Sequence, residues 1–161
     1  MKQLLLLTAA VFGLGALAAV LFLPKGVGVE GEILKVRVAP MDASRSVLVV
    51  DFRLTNPVQK EFWVRQARLF VTGPDGVEVE GKTFGDADAE RVFNYYPLLG
   101  QKFNDSIRMR DKIGAAETWD RMIAAHFPLP EALLEARRGI RIRIEEVDGV
   151  VSEIRQTESG R

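Results

Sequence analysis

The chain of 161 residues contains no cysteine and a single histidine. The absence of cysteine excludes a disulfide framework, a thiolate metal site and a lipid-modified cysteine. His126 would have to serve alone in any Ser-His-Asp triad or histidine-based metal site, and no acidic residue stands at ligand spacing from it. We therefore predict a structural or exposed histidine, no catalytic residue, no metal and no cofactor.

The chain also lacks an excess of charge of either sign. Its 22 basic residues balance its 22 acidic residues, which gives a formal net charge of zero. Proteins that bind nucleic acids usually carry a strong basic excess. The balance therefore argues against a nucleic-acid partner.

Charge is missing altogether from one long stretch near the start of the chain. Leu4 to Leu23 contains 17 apolar residues in 20, which is long enough to span a bilayer as a helix. We predict a transmembrane anchor over residues 1–23, or alternatively a signal peptide cleaved after the small residues around Ala16-Leu17-Ala18. Lys2 would tend to stay cytoplasmic, so the rest of the chain is expected outside the cytoplasm, held at the inner membrane or secreted after cleavage.

After a Gly- and Pro-containing linker predicted over residues 24–31, the sequence alternates between apolar and polar residues with the period of two that is typical of strands. In Ser46 to Thr55, for example, Leu48 and Val50 alternate with polar residues such as Asp51, which predicts a strand with one solvent-facing side. The predicted strands cover Ile33 to Ala39, Ser46 to Thr55, Phe62 to Thr72, Val77 to Thr83, Asp105 to Arg110, Glu117 to Phe127, a run from Gly139 to Glu145, and Val150 to Ile154.

Two short segments carry helical signals. Asp86 and Asp88 can cap a helix that continues through Ala89–Phe93 and stops before Pro97, and a further turn is expected at 98–103. Glu131 to Arg137 has helical spacing and is expected to cover one end of the core. We predict a mainly β fold, an antiparallel two-sheet sandwich of immunoglobulin or fibronectin type III kind over residues 32–155. It has one or two helical insertions, the N-terminal transmembrane or signal helix before it, and a polar tail at 156–161.

One stretch resembles a recurring unit of small extracytoplasmic sandwich domains. In Val49 to Val71, a core strand ends at Asn56-Pro57 and a second alternating strand follows, and Ile113 to Thr118 running into Ile123 to Pro128 looks like the later strands of such domains. The pattern is similar to late-embryogenesis-abundant type 2 domains, also called water-stress and hypersensitive-response domains. This resemblance implies a non-enzymatic sandwich that binds, buffers or scaffolds.

The helical insertion carries the clearest candidate for a binding site. Tyrosine suits positions where one end of the side chain is apolar and the other is wet, and loops that depart from a scaffold often carry function. The insertion could be a recognition patch, or it could lie over the sheet as a lid on the core. The candidate residues are Phe93, Asn94, Tyr95, Tyr96, Leu98 and Leu99.

A second candidate is a set of arginines. Arg108 and Arg110 should share one sheet face, as should Arg141 and Arg143, and adjoining strands would form an arginine wall that could hold an anionic polymer or lipid head group. The alternative is a solvated face on which acidic residues of neighbouring strands pair with the arginines.

Two acidic clusters have structural explanations. Asp86, Asp88 and Glu90 could ligate calcium, but they lack the further ligands of a calcium loop and fit helix capping. A second cluster at 145–148 resembles paired carboxylates for acid-base chemistry, yet it enters a turn and is expected to be solvated.

The function we predict is that of an exported, membrane-anchored and non-enzymatic sandwich that binds an unknown protein partner or helps to assemble a complex. The membrane contact is expected through Leu4 to Leu23, and the oligomeric state is left open. One alternative is a stress-protective accessory protein that makes weak contacts with membranes or unfolded chains. Another is a hydrolase or carbohydrate-active enzyme whose site the sequence does not reveal.

Overall fold

A computed structural model describes residues 26–157, which form an antiparallel β fold with two short α-helices. The predicted mainly β, antiparallel class is confirmed. The strands are β1 (Glu30–Pro40), β2 (Ser46–Thr55), β3 (Phe62–Thr72), β4 (Glu78–Thr83), β5 (Lys112–Ile113), β6 (Thr118–Phe127), β7 (Gly139–Glu146) and β8 (Val151–Thr157). The helices are α1 (Asp86–Tyr95) and α2 (Glu131–Glu135), and a 3-10 turn covers Pro97–Leu99.

The strands follow one hydrogen-bonded path, β1-β2-β6-β4-β3-β7-β8, with β5 paired to β3. The short β4 connects the two halves, because Glu78 to Gly81 pair with β3 whereas Lys82 and Thr83 pair with β6. The path folds over on itself, so that β1 and β8, its two ends, come together. There the backbone amide of Val29 donates to Ser152 Oγ at 2.9 Å. The result is a sandwich that is nearly closed into a barrel.

The main core lies between the two halves of this path and follows from the period-two pattern. Alternate side chains of β2 and of β7 point inward, among them Phe52 and Ile142, which are fully buried. Phe62 and Phe127 fill the same core from β3 and β6. Leu134 of α2 is buried against it as predicted, whereas its neighbour Leu133 is 39% exposed.

A second, smaller core lies on the outer face of β2 and β6. Val47 and Val49 point away from the main core, and α1 covers them with Ala89, Val92 and Phe93. The prediction that this side of β2 faces solvent is therefore wrong for residues 47–51, because the helical insertion packs against it. Only near the end of the strand does that side become wet, at Arg53.

Other expectations also need correction. Residues 105–110 do not form a strand: Ser106 makes an isolated bridge to Met122, and the chain then turns at Arg110, whose φ of 71° is incompatible with a strand. The short β5 was not predicted. At the two ends of the domain, β1 begins inside the segment predicted as linker, and β8 reaches into the predicted tail.

Within residues 26–157, no helix combines the length and the apolar character needed to cross a membrane. The predicted span from Leu4 to Leu23 lies outside the described residues.

Candidate binding surface

The segment from α1 to Asn104 departs most clearly from a minimal sandwich, and we call it the insertion. It divides the predicted patch into a buried and an exposed half. Phe93 and Leu99 are 8% and 1% exposed and belong to the second core, and Tyr96 packs at its margin. Tyr95 and Leu98 are each 77% exposed. The insertion is therefore both the lid and a surface with apolar side chains in water.

A buried ion pair attaches the insertion to the sheet. Arg37 of β1 and Asp51 of β2 lie on the covered face, 8% and 3% exposed, and the Arg37 guanidinium contacts Asp51 Oδ2 at 2.7 Å. Arg37 also donates to the backbone carbonyls of Leu99 at 2.8 Å and Gln101 at 2.7 Å. Asp51 Oδ1 accepts a hydrogen bond from Asn104 Nδ2 at 2.9 Å. Both charges are thus shared between the sheet and the insertion.

Aromatic rings surround the same arginine. Its guanidinium carbon lies 4.9 Å from the centre of the Phe93 ring and 5.5 Å from that of Phe103. Such contacts add cation–π attraction, which is strongest where water is excluded. Phe103 itself is 62% exposed, and Lys35 Nζ lies 5.0 Å from its ring centre. Arg37 therefore anchors both sides of the 3-10 turn.

The anchored segment presents three large apolar side chains to solvent, Tyr95, Leu98 and Phe103, which we call the insertion patch. The Tyr95 ring is held by an edge contact with Tyr96, with ring centres 4.9 Å apart. Because the backbone under the patch is attached at Leu99, Gln101 and Asn104, these side chains lose little backbone freedom when a partner binds.

The acidic start of α1 has a different role from the one predicted. Gly85 occupies the N-cap position and no side chain caps the helix. Asp86 instead contacts Lys102 Nζ at 3.2 Å, and Asp88 contacts Arg91 at 3.1 Å. The hydrogen bond from Lys102 is the main reason why the pKa of Asp86 is lowered. Asp86 thus ties the start of the insertion to its end. No metal-ligating group of His, Cys, Asp and Glu is found among residues 26–157.

The four predicted arginines do not come together in one wall. Arg141 and Arg143 share the outer face of β7 as expected, facing Phe70 and Arg68 of β3. Arg108 and Arg110 lie in the irregular segment between the insertion and β5, where Arg108 pairs with Asp111 at 3.7 Å.

On the outer face of β7, acidic side chains of the neighbouring strands surround Arg141. Arg141 is paired with Glu78 of β4 and, at 2.7 Å, with Glu153 of β8, and it lies over the Phe70 ring at 4.1 Å. The hydrogen bond between Arg141 and Glu78 raises the pKa of Arg141 and lowers that of Glu78. For Arg141 this arrangement corresponds to the cross-strand alternative weighed against an arginine wall, whereas the buried Nε of Arg143 has no hydrogen-bond partner among residues 26–157.

The remaining candidates have structural settings. His126 is partly buried on the outer face of β6, with its ring centre 5.8 Å from that of Phe84. In the second acidic cluster, Glu146 is buried and Glu145 pairs with Arg65 at 3.3 Å, so these carboxylates are not simply solvated. Asp148 holds Lys60 at 2.7 Å.

A cleft of about 480 Å³ lies between β3 and β6, next to the end of β4. It is lined by the apolar side chains of Ala67 and Ile123 and by charged residues, among them Arg65, Asp86 and Arg108. Sequence reasoning missed this cleft, because it results from the way β4 switches between the two halves of the sheet.

Sequence reasoning also missed Arg37 and Asp51. A signal was present, because Val47 and Val49 make β2 apolar on the face that also carries Asp51. A strand that is apolar on both faces needs cover on both, and the helical insertion was one segment of the chain that could supply it.

No protein-family model matches the chain, and no curated protein matches it. Among solved structures, it is similar to an uncharacterized beta-sandwich protein from Clostridium difficile 630, with 9% identity, a TM-score of 0.42, and coverage of 82% of this chain and 87% of that one. It is also similar to a Northeast Structural Genomics Consortium target, with 9% identity, a TM-score of 0.34, and coverage of 83% and 86%.

Proposed function

We propose that the protein is a membrane-anchored, non-enzymatic binding module whose domain lies outside the cytoplasm and whose insertion patch contacts a partner protein. The observation that carries this proposal is the combination of a firmly attached backbone and strongly exposed apolar side chains. Tyr95 and Leu98 are each 77% exposed on a segment that the Arg37–Asp51 pair holds to the sheet.

The energetics of the ion pair support this interpretation. A buried ion pair is weak evidence for stability, because desolvation of the two charges offsets much of their attraction. Two apolar side chains in the same place often stabilise a fold equally well. The pair instead fixes the positions of the backbone carbonyls of Leu99 and Gln101 and of the side-chain amide of Asn104. A fixed position matters most for a surface that must fit a partner.

The chemistry of the patch favours a protein as the partner. Aromatic residues are enriched at the centres of protein interfaces, where they bury large areas with few rotatable bonds. Asn94, exposed beside Tyr95, adds a side chain that can both donate and accept hydrogen bonds.

The anchoring part of the proposal rests on the composition of Leu4 to Leu23, 20 residues without a charge. The sandwich type rests on strand order. The path β1-β2-β6 continuing into β4, with β3-β7-β8 opposite, follows the arrangement of the two immunoglobulin-type sheets.

Site-specific photo-cross-linking in the native membrane tests the proposal. A photoreactive phenylalanine analogue at Tyr95 is expected to give one discrete, heavier product. Val77 is a matched control position, because it is also apolar and is 57% exposed on the β3–β4 turn. The same products from both positions, or no discrete product from Tyr95, would contradict the proposal. A diffuse set of products from both positions would favour the stress-protective alternative.

A further inference from the structure

The end of the domain that carries Gly26 and Val27 has a surface suited to lipid head groups. Val27 is 62% exposed, Val147 is 49% exposed and Trp63 is 38% exposed. Two lysines, Lys60 and Lys112, border these side chains. We call these five residues the chain-entry surface.

Backbone and side-chain contacts bring the chain-entry surface together. The amide of Val147 donates to the carbonyl of Trp63 at 3.1 Å, and Lys112 Nζ lies 3.8 Å from the centre of the Trp63 ring. A recess of about 230 Å³ is lined by Val27 and Lys60 together with Val150. Residues from four separated parts of the chain therefore form one surface.

We propose that the chain-entry surface rests against the head groups of the bilayer in which the protein is anchored. This inference depends on the proposed anchoring by Leu4 to Leu23. Only Pro24 and Lys25 separate Leu23 from Gly26, so an extended chain spans about 11 Å between them. A head-group layer is roughly 5–8 Å thick on each side, so Gly26 cannot stand far from it.

The side chains fit that location. Tryptophan is enriched at membrane–water interfaces, and lysine can keep its ammonium group among the head groups while its stem covers apolar surface. Charge attraction is small, because Asp148 pairs with Lys60 at 2.7 Å and Glu61 accepts a hydrogen bond from Trp63 Nε1 at 2.9 Å. The contact therefore depends on the tether, which keeps the surface at high local concentration beside the lipid.

This placement also orients the insertion patch. β2 runs from the covered Val47 and Val49 toward Thr55, and Thr55 pairs with Glu30 and Thr118 near the chain-entry end. Val49 and Thr55 are six residues apart, which is about 20 Å along a strand. The insertion thus covers the half of the sheet that faces away from the bilayer, where a partner protein can reach it.

Single-cysteine labelling tests the proposal cleanly, because the chain has no cysteine of its own. A fluorescent label is placed on Val147→Cys or on Val77→Cys. Both valines are exposed in turns between antiparallel strands, at opposite ends of the domain. The full chain is reconstituted in vesicles of phosphatidylcholine and phosphatidylglycerol that contain a head-group-spin-labelled lipid as quencher. We expect several-fold stronger quenching at position 147 than at position 77.

A further variant separates contact from simple proximity. Val27→Asp places a carboxylate on an exposed position without disturbing the core, and it should reduce quenching at position 147 by repulsion from the anionic lipid. Equal and weak quenching at both positions, or quenching at 147 that Val27→Asp leaves unchanged, would overturn the inference while the anchoring proposal stands. If alkaline washing releases the unsubstituted chain from the vesicles, the anchoring proposal fails and this inference fails with it.

Discussion

Removing one charge of the Arg37–Asp51 pair should destabilise the domain strongly. Asp51→Asn keeps the shape of the side chain but leaves the Arg37 guanidinium, 8% exposed, without its carboxylate. Breaking a buried pair in this way typically costs about 3–5 kcal/mol. A domain of this kind has a total stability of about 5–15 kcal/mol, so the variant should fold with a much lower urea midpoint.

The double substitution Arg37→Met/Asp51→Leu should cost less than Asp51→Asn alone. It buries no charge, and of the two carbonyls that lose their donor only that of Leu99 is buried, at a cost of about 1–3 kcal/mol, because Gln101 is exposed and its carbonyl can bond water. Urea unfolding at pH 7 compares the free energy of unfolding of the wild type with those of Asp51→Asn, the double variant and its two single variants. A cost below about 1 kcal/mol for Asp51→Asn, or a double variant whose cost equals the sum of the costs of the single Arg37→Met and Asp51→Leu variants, would contradict a strong coupling between the two buried charges.

Hydrogen exchange tests the local part of the same prediction. The amides of residues 99–104 should exchange faster in Asp51→Asn, by a larger factor than the amides of β7, because the insertion loses its attachment before the main core opens. Uniform acceleration across the domain would show that the pair stabilises the whole fold and does not specifically hold the insertion.

Three further predictions concern other parts of the structure. Phe93→Ala should lower the free energy of unfolding by about 3–5 kcal/mol, whereas Tyr95→Ala should change it by less than about 0.5 kcal/mol, because only Phe93 is buried; thermal or urea unfolding compares them. Asn56→Ala should cost about 2 kcal/mol or more, and Asn56→Asp should not rescue it, since Nδ2 donates to the carbonyls of Lys60, Ile113 and Gly114 at 2.7, 3.1 and 3.0 Å. Because its hydrogen bond with Arg141 lowers the pKa of Glu78, this carboxylate stabilises the fold at pH values above its ordinary pKa of 4.5. The difference in free energy of unfolding between the wild type and Glu78→Gln should therefore be largest near neutral pH and should shrink as the pH falls below about 4, and a difference that grows on acidification would contradict this.

The sequence predicted the β architecture well, because the inward positions of strands such as β7 alternate strictly with charged ones. It failed where tertiary contacts override local pattern. Asp105 to Arg110 alternates like a strand, yet the Asp111 carboxylate accepts from the Arg108 amide at 2.9 Å and the chain turns. The aspartates at the start of α1 looked like helix caps, but Asp86 bonds Lys102, 16 residues later in the chain, and Asp88 bonds Arg91, three residues later.

The candidate site was predicted in part. The insertion was identified from its helical and aromatic residues, and its two alternative roles turned out to divide between neighbouring side chains. The side chains that face water are set by which side of α1 packs on Val47 and Val49 and by the hydrogen bonds that Arg37 makes to the insertion. Those contacts join residues more than 60 positions apart, and one sequence alone does not encode such a pairing visibly.

Quantitative recovery of the partner is the most direct test of binding through the insertion patch. The full chain and its Tyr95→Ala/Leu98→Ala variant are purified from detergent-solubilised native membranes, and the co-purifying proteins are measured by mass spectrometry. Both substituted side chains are 77% exposed, so the variant should match the wild type in thermal unfolding. We predict that one partner falls at least about 10-fold in the variant, as expected when two side chains at the centre of an interface are removed. Equal recovery of every protein by the folded variant would contradict the claim that the insertion patch is the binding surface.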